Sequence, residues 1–90
     1  MRVTVHYLAQ MKRAAGCSSE TVEVHDAATL QDLLLALAAH HGTSLRALLV
    51  DEANQPLKSL LFFVGEEHAE PALRLKEGDA VTILAPMAGG

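Results

Sequence analysis

One cysteine, Cys17, is all the thiol chemistry that this 90-residue chain carries. A lone thiol cannot close an internal bridge, so the fold is not stapled by disulfides and a reducing compartment is the expected setting. No apolar run approaches the ~18 residues that span a bilayer. Val3 to Leu8 is too short, and too regularly interrupted by polar residues, to serve as an export signal. Positive charge is scarce: seven Lys and Arg against eleven Asp and Glu give a formal charge of −4. That balance argues against nucleic acid as a partner and favours a protein with a basic docking surface. No glycine-rich loop is present to cradle a phosphate, so ATP is not expected to bind this chain. Repeats, internal linkers and low-complexity tracts are missing too. The expectation is a cytoplasmic domain that uses neither membrane nor nucleic acid.

Apolar residues, by contrast, are plentiful at 50% of the chain. A domain of this length buries only about 60–65% of its unfolded surface, so one efficient core is what those residues must build. Residues 1–85 are expected to form that domain, and 86–90 a flexible tail. Arg2 to Leu8 alternates, with Val3, Val5 and Tyr7 on one side of a strand. Ala9 to Ala15 suits one or two helical turns ending at Gly16, and Thr21 to His25 is a second strand with Val22 and Val24 facing inward. The clearest helix spans Leu30 to His41. Thr29 is its N-cap, Asp32 completes a capping box, and Leu30, Leu33, Leu34, Leu37 and Ala38 form an apolar stripe. Gly42 ends it.

Leu45 to Val50 fits a helical turn or an extended segment equally well. Asp51 to Lys58 reads as a polar loop and Leu60 to Val64 as the most β-prone run, with Gly65-Glu66 as the turn after it. Pro71 to Leu75 reads as irregular. Lys76-Glu77-Gly78-Asp79 is a turn before the final strand, Ala80 to Ala85. First and last strands, the most regularly patterned, are expected to pair in parallel at the centre of a mixed sheet of four to five strands. One helix packed across such a sheet is an α+β architecture, and the β-grasp is its simplest form.

After the last strand come Pro86-Met87-Ala88-Gly89-Gly90. Proline stops the ladder, and glycine sets no side chain beside its carbonyl and tolerates φ > 0. Extended, these residues reach about 15–18 Å, enough to carry the Gly90 carboxylate into a narrow cleft on another protein. The tail, the Gly78-Asp79 turn and the stretch Tyr7-Leu8-Ala9-Gln10-Met11-Lys12-Arg13-Ala14-Ala15-Gly16 together resemble the ubiquitin-like sulfur carriers, above all the small subunit of molybdopterin synthase. Val64 and Arg13 depart from the family pattern, where Asn and an acidic residue are common, and leave the pathway open.

That resemblance implies a relay chemistry at Gly90. An E1-like adenylating enzyme would activate the carboxylate with ATP held on the enzyme. A sulfur donor would displace AMP to leave a thiocarboxylate, which would act as nucleophile toward the next substrate, with a larger catalytic subunit as partner. The carrier would be a cosubstrate, with no bound cofactor and no catalysis of its own. Thiamin, cysteine or transfer-RNA thiolation are alternative pathways on the same chemistry. A ubiquitin-like modifier of target lysines and a passive β-grasp module are the further alternatives.

The strand pattern also implies a docking face. With Val3, Val5, Tyr7, Val81 and Ile83 turned to the helix, Leu8 and Leu84 point the other way. In the register that buries Leu61 and Phe63, Phe62 joins them, flanked by Leu60 and Val64. Leu8, Phe62 and Leu84 are therefore the expected partner-binding residues, forming an exposed apolar patch. No metal site is expected: His40 and His41 are adjacent and should not share a helix face, and His6, His25 and His68 lack ligand spacing. Cys17 reads as an incidental surface thiol, and Asp51-Glu52 and Glu66-Glu67 as solvated loop charges.

Overall fold

The computed structural model describes residues 1–85. Strand β1 (Arg2–Tyr7) leads through the short helix α1 (Gln10–Ala15) to β2 (Ser19–Glu23). Helices α2 (Leu30–His41) and α3 (Thr43–Leu49) follow, then β3 (Leu61–Val64), β4 (Glu67–Ala69) and β5 (Ala80–Leu84). The five strands form one sheet in the order β2-β1-β5-β3-β4. β1 and β5 pair in parallel at its centre, Val5 beside Val81 and Tyr7 beside Ile83, while every other pairing is antiparallel. This is the expected β-grasp.

Alternation on the strands decides what lies under α2. Val3, Val5, Tyr7, Val81 and Ile83 are all buried and meet the leucine stripe of the helix, Leu30, Leu33, Leu34 and Leu37. The start of α2 is fixed by reciprocal capping. The Thr29 hydroxyl accepts from the Asp32 amide at 3.2 Å, and the Asp32 carboxylate accepts from the Thr29 amide at 3.0 Å. The same bond from the Thr29 backbone, followed by contacts with the Thr29 hydroxyl and His25, holds the Asp32 carboxyl below its ordinary range.

Gly42, at φ 83°, ends α2 and redirects the chain into α3, which resolves Leu45 to Leu49 of the ambiguous run as helix and leaves Val50 extended, bridged to Pro56. Leu45 and Leu49 share one face at i, i+4 and are both buried. β2 begins two residues earlier than the pattern suggested, and its Val22 packs against the core as expected. A strand was missed altogether. Gly65, at φ 64°, heads a two-residue turn that pairs Val64 with Glu67 and makes a hairpin of β3 and β4. Cys17 is half-buried against the core rather than lying free on the surface.

The phase of β3 is opposite to the expected one. Phe62 is only 4% exposed and stands beside buried Ile83, while Leu61 and Phe63 are half-exposed on the outer face. The antiparallel register with β5 dictates this. Phe62 opposite Ile83 must point with it towards α2, and Leu61 opposite Leu84 must point away. Phe62 is thus a core residue and leaves the expected docking patch.

Candidate functional site

The outer face of the sheet is assembled around β5. The turn before it is held by Asp79, whose carboxylate accepts from the Lys76 amide at 2.8 Å, while Gly78, at φ 83°, donates its amide to the Arg2 carbonyl at 2.8 Å. This stitching sets β5 against β1 from its first residue. At the other end the pairing closes with Tyr7 beside Ile83, and Leu8 and Leu84 are the next residues of the two segments. Leu61 lies directly across from Leu84 on β3. Leu8, at 44% exposure, is one of two strongly exposed large apolar side chains among the described residues. Phe63 extends the row, opposite Thr82 and edge-on to His68 with ring centroids 5.8 Å apart.

The apolar row is therefore Leu8, Leu84, Leu61 and Phe63, running across β1, β5 and β3. Two of the three expected contact residues, Leu8 and Leu84, lie in it; Leu61 and Phe63 take the place of Phe62. The row sits where β5 leaves the sheet towards residue 86. Pro86, Met87, Ala88, Gly89 and Gly90, the expected reactive tail, lie outside the described residues.

A polar cluster lies at the junction of β1, β2 and the end of α2. The Tyr7 hydroxyl, at the end of β1, donates to Glu20 Oε2 on β2 at 2.5 Å, and His41 Nε2 meets the same oxygen. Burial first, and the Glu20 carboxylate second, push the Tyr7 hydroxyl far above its usual value, so it remains a donor. Burial alone would raise the Glu20 carboxyl. The hydrogen bonds from Tyr7 and His41, with the charge of both histidines, outweigh it and hold Glu20 below its ordinary value. His40 joins the cluster, its ring 5.0 Å from that of His41 and nearly perpendicular to it. The expectation that adjacent histidines stay apart does not hold in this last helical turn, where both rings reach the same side chain of β2. No regular spacing announces such a cluster, because Glu20 comes from a distant strand.

Both the order of the sheet and the parallel central pair place the molecule in the ubiquitin-like β-grasp class. Comparison with known proteins narrows this. Residues 5–90 match the ThiS family, and the chain belongs to it, making it a member of the ubiquitin-like sulfur carriers. The molybdopterin synthase sulfur carrier subunit of Chlamydomonas reinhardtii is 30% identical over 92 residues, covering 100% of both chains. SAMP1 of Haloferax volcanii, a small archaeal modifier protein, superposes with a TM-score of 0.90 at 22% identity, covering 100% of each chain. The match from the BexX/CysO complex of Amycolatopsis orientalis has a TM-score of 0.69 at 26% identity, covering 98% of this chain and 99% of that one. Among the described residues, no helix is long and apolar enough to cross a membrane.

Proposed function

We propose that this protein carries sulfur as a thiocarboxylate on Gly90, in the synthesis of molybdopterin. An E1-like enzyme joins the Gly90 carboxylate to AMP from ATP and releases pyrophosphate. Sulfide-level sulfur from a donor then attacks the acyl carbon, AMP leaves with one of the former carboxyl oxygens, and a thiocarboxylate remains. A free carboxylate is a poor electrophile, so the adenylate is what makes the exchange possible. On a larger catalytic subunit the thiocarboxylate sulfur attacks the substrate held there; water then cleaves the acyl–sulfur bond, leaving the sulfur on the substrate and the carboxylate on the carrier. Pro86, Met87, Ala88 and Gly89 form the slim tether that takes the acyl group into each partner's cleft. Catalysis and ATP binding belong to the partners.

Family membership carries this reading, supported by the Gly89-Gly90 sequence and by full-length similarity to a molybdopterin synthase sulfur carrier subunit. The row Leu8, Leu84, Leu61 and Phe63 is the proposed docking surface. It is apolar, half-exposed and adjacent to the point where β5 hands the chain to the tether.

Incubation with the cognate adenylating enzyme, ATP and a sulfur source, followed by intact-mass analysis, tests the chemistry. Exchange of one oxygen for sulfur is expected, with none after deletion of Gly90. Ladders of target adducts in place of that exchange would assign the tail to protein modification, and an unaltered mass would leave a passive module. Addition of the loaded carrier to a molybdopterin synthase large subunit and its substrate then tests the pathway.

A further inference from the structure

The last turn of α2 lies against the edge strand β2, and three metal-ligating side chains converge there. Glu20, His40 and His41 each present one ligand atom, all three within 4.8 Å of one another. We propose that this cluster binds a divalent ion of the first transition row, of the Zn²⁺ type, through the Glu20 carboxylate and the two imidazoles, with water completing the shell.

Four observations support the assignment. Two imidazoles and one carboxylate are a donor set that suits Zn²⁺, Ni²⁺ or Cu²⁺ and discriminates against the hard ions Mg²⁺ and Ca²⁺. The carboxylate is oriented from behind by the buried Tyr7 hydroxyl, which plays the part of the outer partners that fix metal ligands in place. The helix C-terminus adds its partial negative charge, in a chain that is already net acidic. Finally, Glu20 and exposed His40 line an open depression of about 320 Å³ between β2 and α2, which gives an ion a path in and leaves room for water.

The closure required is small. Tetrahedral Zn²⁺ sets its ligand atoms about 3.3 Å apart. His41 Nε2 and Glu20 Oε2 touch directly and must separate slightly to admit the ion, while the exposed His40 ring, within 4.8 Å of both, swings in to complete the set. Coordination needs the bare Nε2 lone pair of His41, so a proton held there gives way to the ion as it enters. The site stands on the helix side of the sheet, on the opposite face from the apolar row.

Titration of the tag-free full chain with Zn²⁺ against a chromogenic chelator measures affinity and stoichiometry, with Co²⁺ as a spectroscopic probe of geometry and Mg²⁺ as the hard-ion control. One Zn²⁺ per chain is expected, Co²⁺ should give a four- or five-coordinate spectrum, and Mg²⁺ should not compete. His40→Ala, at an exposed position that leaves the Tyr7–Glu20–His41 packing intact, should weaken Zn²⁺ binding by about tenfold or more. His25→Ala and His68→Ala, which remove the other histidines paired with acids, should leave it unchanged. Equal affinity in the native and His40→Ala proteins, a loss that follows His25 or His68 instead, or no saturable binding overturns the proposal.

Discussion

On the helix side of the sheet, Val3, Val5, Tyr7, Phe62, Val81 and Ile83 are at most 4% exposed. On the other side the same strands show Thr4, His6, Leu61, Phe63, Thr82 and Leu84, with Leu8 just past the end of β1, none of them buried. The outer face is itself divided. Towards β2 it is polar, with Thr4 beside Thr21 and His6 beside Ser19, while towards β3 it is apolar, with Leu61 beside Leu84. An inner face must be apolar for the sheet to hold a helix at all. An outer face gains less for folding from partly exposed leucine and phenylalanine than the inner face gains from buried ones, so its apolar half points to association.

The strongest way to break this contrast is to truncate neighbouring aromatics on opposite faces. Phe62→Ala should lower the unfolding free energy by about 3–5 kcal/mol, because it empties part of a packed core. Phe63→Ala, half-exposed, should cost under about 1 kcal/mol, and its effect should appear instead as weaker binding of the adenylating enzyme or larger subunit. Urea unfolding and partner titration of the two variants separate the faces. Comparable losses of stability would show that both phenylalanines serve the core.

These two residues also show where sequence reasoning runs out. Strands β1 and β5 alternate apolar with polar, so Val3, Val5, Tyr7, Val81 and Ile83 were legible as one face. Leu60 to Val64 is apolar throughout, and a uniform run conceals its own phase; only the pairing of Phe62 with Ile83 fixes it. Helix α2 was readable to the residue because Thr29, Asp32 and Gly42 mark its ends chemically. Strand β4 was not, since Glu67-His68-Ala69 is short and polar and is held at the sheet edge by its partner rather than by its own pattern. The Glu20, His40 and His41 cluster depends on how β2 meets the end of α2, which no local spacing encodes.

At the polar edge of the inner face, the Tyr7–Glu20 bond predicts a smaller effect with a defined pH dependence. Tyr7→Phe should cost about 1.5–3 kcal/mol at neutral pH, the range for hydrogen bonds to charged groups. Glu20 has a folded pKa below its ordinary 4.5, so its contribution is complete above pH 4.5 and is lost as the pH falls through the folded value. Tyr7 is raised above its ordinary 10.0, so its contribution is complete below pH 10.0 and erodes as the pH climbs beyond it. Unfolding free energies measured across both limbs should therefore decline at each extreme. Glu20→Gln should flatten the acid limb relative to the native chain; an unchanged acid slope would remove Glu20 from the account.

The smallest expected change in stability sharpens the contrast from the outer side. Leu8 is 44% exposed and belongs to the apolar row, yet it follows the last residue of β1 and so lies outside the buried strand pattern. Leu8→Lys places a charge where the native chain has leucine, at a position from which a long side chain can keep its ammonium in water. The urea midpoint should shift by no more than about 0.5 kcal/mol in equivalent stability. In a complex the same ammonium would be pressed against a surface that matched leucine and would lose its hydration. Partner affinity should therefore fall by about 2 kcal/mol or more, within the range of a central contact residue. Unimpaired binding to both the adenylating enzyme and the larger subunit would move the docking surface off this row, whatever chemistry proceeds at Gly90.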